Sequence, residues 1–201
     1  MSEQTEYKFT KDWFEWAPAV WEQLVPMLPA RKSFLEIGSY EGRSTVWTVE
    51  NMLEDGGAIT CIDTWQGGEE HIATGEDMSL VEANFEHNMN VLYKKHPKRS
   101  VYKLKAASAY ALAQRIARDG EKHDFIYIDG GHTARDVLTD ACMAWNLLKV
   151  GGLMVFDDYM WGEPRDILHR PKIAIDAFMN TFAEELEPIY IGYQAVVRRT
   201  K

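Results

Sequence analysis

The sequence predicts an α/β protein: an open, doubly wound sheet of five parallel strands plus a C-terminal antiparallel hairpin, with helices on both faces. Three observations carry this reading. Short apolar, β-branched runs alternate with segments of helical periodicity through most of the chain. Several runs end in glycine or aspartate, as in "SFLEIG", "AITCID", "DFIYID" and "GLMVFDD", which is where α/β sheets hold ligands. The last two runs, in "EPIYIGYQAVVRRT" (Glu187–Thr200), meet near Gly192–Tyr193, a hairpin signal.

The elements follow in order. "DWFEWAPAVWEQLVPMLP" (Asp12–Pro29) lies in a tryptophan-rich extension, residues 1–30. Asp12 with Glu15 resembles a capping box, and Pro18 interrupts the pattern, so two short helical pieces are expected. Trp13, Trp16 and Trp21 are expected to cover the sheet or a cofactor mouth, with a homodimer contact as the alternative. The first strand is Ser33–Gly38, followed by a helix over Gly42–Leu53. The second strand is Ala58–Asp63. The helix Met78–Lys95 sets Val81, Phe85, Met89 and Leu92 on one face. A third strand, Ser100–Ala106, shows clear alternation and leads to a helix over Ser108–Gly120 that glycine stops. The fourth strand is Asp124–Asp129. Ala134, Leu138, Ala141, Trp145 and Leu148 recur at helical spacing, which predicts a helix over Thr133–Lys149 that buries them. Gly152–Asp158 is the fifth strand and Lys172–Glu185 the last helix. No Pro- or Ser-rich linker divides the chain, so residues 1–201 read as one domain.

Composition narrows the function classes. A formal net charge of −9 over 201 residues fits poorly with unspecific nucleic-acid binding, which depends on neutralising phosphates. The basic clusters "YKKHPKR" and "RRTK" read as a solvated loop and a tail. Cys61 and Cys142 form no metal or disulfide pattern and read as buried free thiols, which suits a reducing compartment. The N-terminus lacks the apolar core of a signal peptide, and no apolar run approaches membrane-spanning length. The expectation is a cytoplasmic enzyme with a small-molecule substrate, no nucleic acid and no membrane.

Chemistry is sought at the strand ends. "EIGSYEGRS" (Glu36–Ser44) has the glycines of a tight turn but is neither GxGxxG nor a P-loop. Asp63 ends the second strand and follows Gly38 at roughly the 20-residue spacing where an acidic residue takes ribose hydroxyls. An adenosine-containing cofactor is expected. Asp129 closes the fourth strand, and Asp157 and Asp158 close the fifth. On neighbouring parallel strands, about 4.8 Å apart, their carboxylates would converge on one cation. An all-oxygen donor set favours a hard ion such as Mg²⁺. A helix cap or a turn is the alternative for each aspartate alone. His132 stands beyond a Gly-Gly pair after Asp129, where an imidazole suits a general base; a helix-start residue is the alternative. Two long loops, Thr64–Asp77 and Tyr159–Pro171, leave the same edge and carry Trp65, Trp161, His71, His169 and Arg170 as candidate substrate contacts or solvated residues.

"FLEIGSYEGRST", "FIYIDGGH" and "VFDDY" together resemble class I S-adenosylmethionine-dependent methyltransferases. More narrowly they resemble the metal-dependent O-methyltransferases of the catechol and macrocin types, over Phe34–Tyr159 and in topology through the hairpin. The resemblance implies a Rossmann-like methyltransferase sheet. It implies that Glu36, Gly38, Ser39 and Gly42 line the methionine part of S-adenosylmethionine, that Asp63 binds the ribose, and that Ser108 contacts the adenine. It makes Asp129, Asp157 and Asp158 the ligands of Mg²⁺ or another hard divalent cation. The Asp-Asp form of Asp157 and Asp158 looks closer to the macrocin-like branch, and His132 occupies the place of a lysine base in the catechol type, a departure from that type; Asp129 is the other candidate base. The implied activity is Mg²⁺-dependent methylation of a hydroxyl on a small diol-bearing substrate, sugar or catechol-like. Two rivals remain: a metal-free methyltransferase on another nucleophile, which the absence of Pro-Pro-Tyr/Phe after the fourth strand disfavours, and a non-catalytic cofactor-binding or assembly module.

Overall fold

The computed structural model describes residues 6–68, 71, 74–118, 122–161 and 166–201. In chain order they form α1 (Ala17–Leu24), a 3₁₀ turn (Val25–Met27), β1 (Ser33–Ile37), α2 (Arg43–Asn51), β2 (Ala58–Asp63), α3 (Met78–Lys95), β3 (Ser100–Lys105) and α4 (Ser108–Ala117). Then come β4 (His123–Ile128), α5 (Ala134–Trp145), β5 (Leu148–Phe156), a 3₁₀ turn (Ile167–His169), α6 (Pro171–Thr181), β6 (Leu186–Ile191) and β7 (Ala195–Arg199).

All seven strands share one sheet in the order β3-β2-β1-β4-β5-β7-β6. β1 to β5 pair in parallel, while β7 runs antiparallel to both β5 and β6. Every residue of β1 and of β4 is buried, the pattern of central strands covered on both faces. Successive side chains alternate between two cores. Leu35, Ile37, Ile126 and Ile128 face Ala141 and Trp145 of α5 and Phe178 of α6. Phe34, Phe125 and Tyr127 face Trp21 of α1, Val49 of α2 and Phe85 of α3. The chain winds outward from β1 to β3 and then returns to β4. The carboxyl ends of β1 and β4 therefore flank the switch point, where crossovers leave to opposite faces and a crevice opens.

The expected strands, and the helix over Met78–Lys95, are all present. Three expectations are corrected. The first is the capping box: α1 begins only at Ala17, Trp16 makes no side-chain cap, and Asp12 instead pairs with Arg43 at 3.3 Å. Pro18 lies in the first turn of α1, where its missing N–H costs nothing, so it opens the helix rather than breaking it. The second concerns the helix over Thr133–Lys149, which ends at Trp145; Leu148 already pairs with His123 as the start of β5. Its inner face is Val137, Asp140, Ala141, Ala144 and Trp145, while Leu138 is 36% exposed. The apolar residues fit two helical registers, and contact with β4 and α6 selects the one that admits Asp140. The third is Cys142, which is only partly buried, whereas Cys61 is fully buried; both are free. The stop at Gly120 lies outside the described residues. Among the described residues no helix is long and apolar enough to cross a membrane.

Candidate active site

A cavity of about 1160 Å³ opens at the carboxyl ends of the central strands. Its first wall is the turn after β1. Gly38 has φ +82°, and a Cβ there would fall 1.9 Å from the carbonyl oxygen of Asp129. Only glycine lets β1 and β4 approach this closely at the crevice. Asp63, at the end of β2, holds the turn down: Oδ2 accepts from the backbone N–H of Ser39 (2.8 Å) and Tyr40 (3.0 Å), and Oδ1 from that of Trp65 (2.7 Å).

Glu36 lies beneath this turn, fully buried, and does not line the cavity. Its carboxylate accepts from Ser39 Oγ (2.8 Å), Ser44 Oγ (2.5 Å) and Thr45 Oγ1. Burial pushes its pKa up, and these three hydroxyls oppose the shift. Gly42 also sits behind the turn. Its φ is +80°, and a Cβ would meet the Met89 and Phe85 side chains of α3 at 2.8 and 3.0 Å. Of the expected cofactor residues, Gly38, Ser39, Asp63 and Ser108 line the cavity, while Glu36 and Gly42 shape it from behind.

Ser108 opens α4 on the side of the cavity remote from β5, beside Ala106 and Ala107. Asp140 of α5 lines the same cavity, near Ser108. Burial pushes its carboxyl up to about 6.

The acidic wall comes from β4 and β5. Ile128 and Phe156 are register partners, so Asp129 and Asp157 leave the sheet side by side. Asp158 follows with φ +56°, a left-handed conformation that aspartate tolerates; its N–H donates to Asp157 Oδ1 at 2.8 Å. The Tyr127 hydroxyl reaches Asp157 Oδ2 and, at 3.0 Å, Asp129 Oδ2. Tyr193 donates to Asp158 Oδ1 at 2.9 Å. His132 Nε2 stands 3.2 Å from Asp158 Oδ2 and 4.0 Å from Asp129 Oδ1. One ligand atom from each of Asp129, His132 and Asp158 lies within 4.8 Å of the others. Asp157 lines the same cavity with its two oxygens turned to Tyr127 and to the Asp158 amide.

The Asp129 side chain stays 32% accessible through the cavity mouth, yet it is rooted deep in the protein. That burial, with Asp157 beside it, raises its pKa well above the usual carboxylate range, and His132 counteracts. Asp157 is pushed up to about 6 by burial and by Asp158. Crowded carboxylates of this kind are what a cation relieves.

Aromatic rings form the remaining rim: Trp13, Trp16, Trp161 and Tyr193. Trp16 meets Tyr193 edge-on at 4.8 Å, and Trp161 stands 5.3 Å from the His132 ring. The segment that carries Trp13 is strapped across α3 and the first turn. The Lys8 N–H donates to Asn88 Oδ1 at 2.7 Å, and the Thr10 N–H donates to Glu41 at 2.6 Å. Trp21 is fully buried in the core, Trp16 lines the cavity and Trp13 is 57% exposed at its mouth. Of the loop candidates, His71, His169 and Trp161 line the cavity, whereas Trp65 is buried against Phe85 at 4.8 Å. Arg170 is not part of the wall. Glu69, Glu70, Ile72 and Ala73 of the first loop, and Gly162–Arg165 of the second, lie outside the described residues.

The sequence reading missed Tyr127, Tyr193 and Asp140. Tyr127 had a signal: a phenol two residues before a strand-end aspartate points to the same side of the strand. Tyr193 reaches the site only through the hairpin fold-back, and Asp140 only through the helix register.

A family model described as a methyltransferase domain matches residues 35–159. No curated protein is matched at the sequence level. Solved structures with the same fold include an O-methyltransferase from Bacillus cereus in complex with SAH, at 19% identity and TM-score 0.62, covering 96% of this chain and 84% of that one. TomG, an O-methyltransferase from Streptomyces achromogenes involved in tomaymycin synthesis and held in complex with SAM, is 16% identical with TM-score 0.61, over 92% and 81% of the two chains. MycE, a methyltransferase of mycinamycin biosynthesis in complex with Mg, SAH and mycinamycin VI, is 16% identical with TM-score 0.58, over 96% of this chain and 51% of that one.

Proposed function

Because this chain belongs to the methyltransferase-domain family, we propose that it transfers the methyl group of S-adenosylmethionine to a hydroxyl of a small diol-bearing acceptor, sugar or catechol-like. A hard divalent cation, Mg²⁺, assists. The observation that carries the reading is one cavity with two chemically distinct ends. Gly38, Ser39, Asp63 and Ser108 line one, and Asp129, His132, Asp157 and Asp158 the other.

The residues fit the cofactor and the ion. The turn at Gly38 and Ser39 would lie along the methionine part, with Glu36 and Gly42 fixing its shape. Asp63 keeps lone pairs for ribose hydroxyls beyond the three amides it binds, and Ser108 would face the adenine. Asp129, Asp157 and Asp158 would hold the cation, whose charge offsets their mutual repulsion. When bound, the sulfonium would supply an activated methyl and the ion would lower the pKa of a nearby hydroxyl. The chain supplies the proton acceptor and the positioning. His132 accepts the hydroxyl proton at Nε2, and Asp158, 3.2 Å away, stabilises the imidazolium. Asp129 is the other acceptor within reach. The aromatic rim orders the acceptor and limits water. A second reading has its own support: Nε2 of His132 sits among the candidate donor atoms, so the imidazole could itself bind the ion.

The free thiols Cys61 and Cys142 agree with a reducing, cytoplasmic setting. A homodimer through the tryptophan-rich segment has less surface to use than expected, since Trp21 is in the core.

The test is S-adenosylhomocysteine release with catechols, flavonoids and sugar diols. Turnover that chelator abolishes and Mg²⁺ restores is the expected result. Full turnover in excess chelator favours the metal-free rival, and no turnover with any hydroxyl acceptor favours the binding module.

A further inference from the structure

Asp140 is a carboxylate with no evident structural need. It lies on the inner face of α5, 2% exposed, in a position where an apolar residue would pack against the sheet. Among the described residues no cation pairs with it, and the Ser108 side chain is its nearby hydroxyl. A buried carboxylate with no cation beside it has spare acceptor capacity and a large desolvation cost. Asp140 also lines the cavity, together with Ser108. A Cβ on Gly130 would stand 3.4 Å from Asp140 Oδ2, so the carboxylate lies close under the turn that follows β4. The acidic cluster of Asp129, Asp157 and Asp158 does not enter the causes that shift it; its charged neighbour is Asp136.

Resting on the reading of this cavity as an S-adenosylmethionine site, we propose that Asp140 is the residue that selects a 6-aminopurine. One of its oxygens accepts a hydrogen bond from the exocyclic amino group of the adenine. A carboxylate only accepts, and an amino group only donates. A 6-oxopurine would set its carbonyl oxygen against the carboxylate and leave both unpaired in a buried place. Sites built to receive a donor reject analogues that lack it. The burial that raises the Asp140 pKa agrees with a group that meets its partner only when the cavity is filled.

The experiment is calorimetry of the full chain with S-adenosylhomocysteine and S-inosylhomocysteine, without added metal. The wild-type protein is expected to prefer the adenosyl compound by about 10–100-fold. Asp140→Asn can turn its amide N–H to a 6-oxo group, so the preference should fall to within about threefold, mainly through tighter inosyl binding. Should that variant fail to fold, Asp140→Ser should narrow the ratio through weaker adenosyl binding alone. Equal affinity of the wild-type protein for both compounds overturns the proposal and leaves the cofactor assignment standing. An unchanged ratio in folded Asp140 variants does the same. Failure of the wild-type protein to bind S-adenosylhomocysteine at all overturns both.

Discussion

At the scale of single residues, two histidines show how place decides chemistry. His132 stands at the cavity among carboxylates, and His123 is buried at the start of β4. If His132 is the proton acceptor, His132→Ala should lower kcat/KM by about 10²–10⁴, while Mg²⁺ affinity, read by calorimetry, stays within a few-fold. If it is an ion ligand, the same variant should lose Mg²⁺ affinity by a comparable factor, and excess Mg²⁺ should restore part of the rate. An unchanged rate and unchanged affinity would make it a helix-start residue.

His123 concerns stability alone. Its ring nitrogens stand 3.0 Å from Ser33 Oγ and 3.4 Å from the Arg115 guanidinium. Burial, with Arg115 and Lys149 nearby, holds its pKa down to about 3 against an ordinary 6.5. Above pH 6.5 the ring is neutral in both folded and unfolded chains and contributes nothing. Below it the unfolded chain takes a proton that the folded one refuses. Stability is therefore lost as pH falls from 6.5 towards 3, by at most about 1.4 kcal/mol per unit. Urea unfolding of wild-type protein and His123→Gln across this range isolates the effect, because the buried aspartates are common to both. The difference between the two curves should be flat above pH 6.5 and slope below it; a flat difference throughout would mean the ring is protonated in place.

Elements were readable to the degree that their signals were local. The β1 run "SFLEI" is buried at every position and lies in a central parallel strand, so continuous apolarity was enough. α3 begins where Asp77 accepts from the Ser79 and Leu80 amides, and its stripe of Val81, Phe85 and Leu92 is buried as the spacing required. α5 was harder, because its apolar residues fit two registers and neighbouring elements choose between them. The strand-end aspartates were visible as residues. Their long-range partner was not: Tyr193 reaches Asp158 across 35 positions of chain. Equally hidden was the bond by which Trp21 reaches Gln194 across 173. α1 shows the consequence. Trp21 packs edge-on against Phe125 and Tyr127, and its Nε1–H donates to Gln194 Oε1 at 2.7 Å. Trp21→Phe keeps most of the ring but strands a buried acceptor, which costs about 1–3 kcal/mol. Trp21→Ala adds a cavity, and about 3–5 kcal/mol in all is expected. Thermal melts should rank wild type above Trp21→Phe above Trp21→Ala. Equal melting temperatures for wild type and Trp21→Phe would show that the hydrogen bond contributes nothing.

For the whole molecule, the strand order divides the cavity's tasks. β1 and β2, with the turn leading into α4, supply the expected cofactor wall, and β4 and β5 supply the carboxylates. The two sets meet at the switch point through Gly38 against Asp129. The proposed cofactor contacts thus need no ion, while the proposed donors to the ion come from the other half of the sheet. S-adenosylhomocysteine should therefore bind the metal-free chain, and Mg²⁺ should change its affinity by no more than a few-fold. Binding to the folded state alone raises stability by about 2.7 kcal/mol at a hundredfold excess over Kd, so a thermal shift with ligand and chelator present checks this directly. Asp157→Asn and Asp158→Asn should leave that shift nearly intact and raise the Mg²⁺ concentration needed for turnover. The two lesions act on opposite sides of the crevice from Asp63→Ala, which removes the acceptor for three backbone amides of the cofactor wall and should weaken S-adenosylhomocysteine binding by about 10–100-fold. A thermal shift that vanishes with chelator would mean the ion helps build the cofactor site, and the division of the sheet into two independent halves would be wrong.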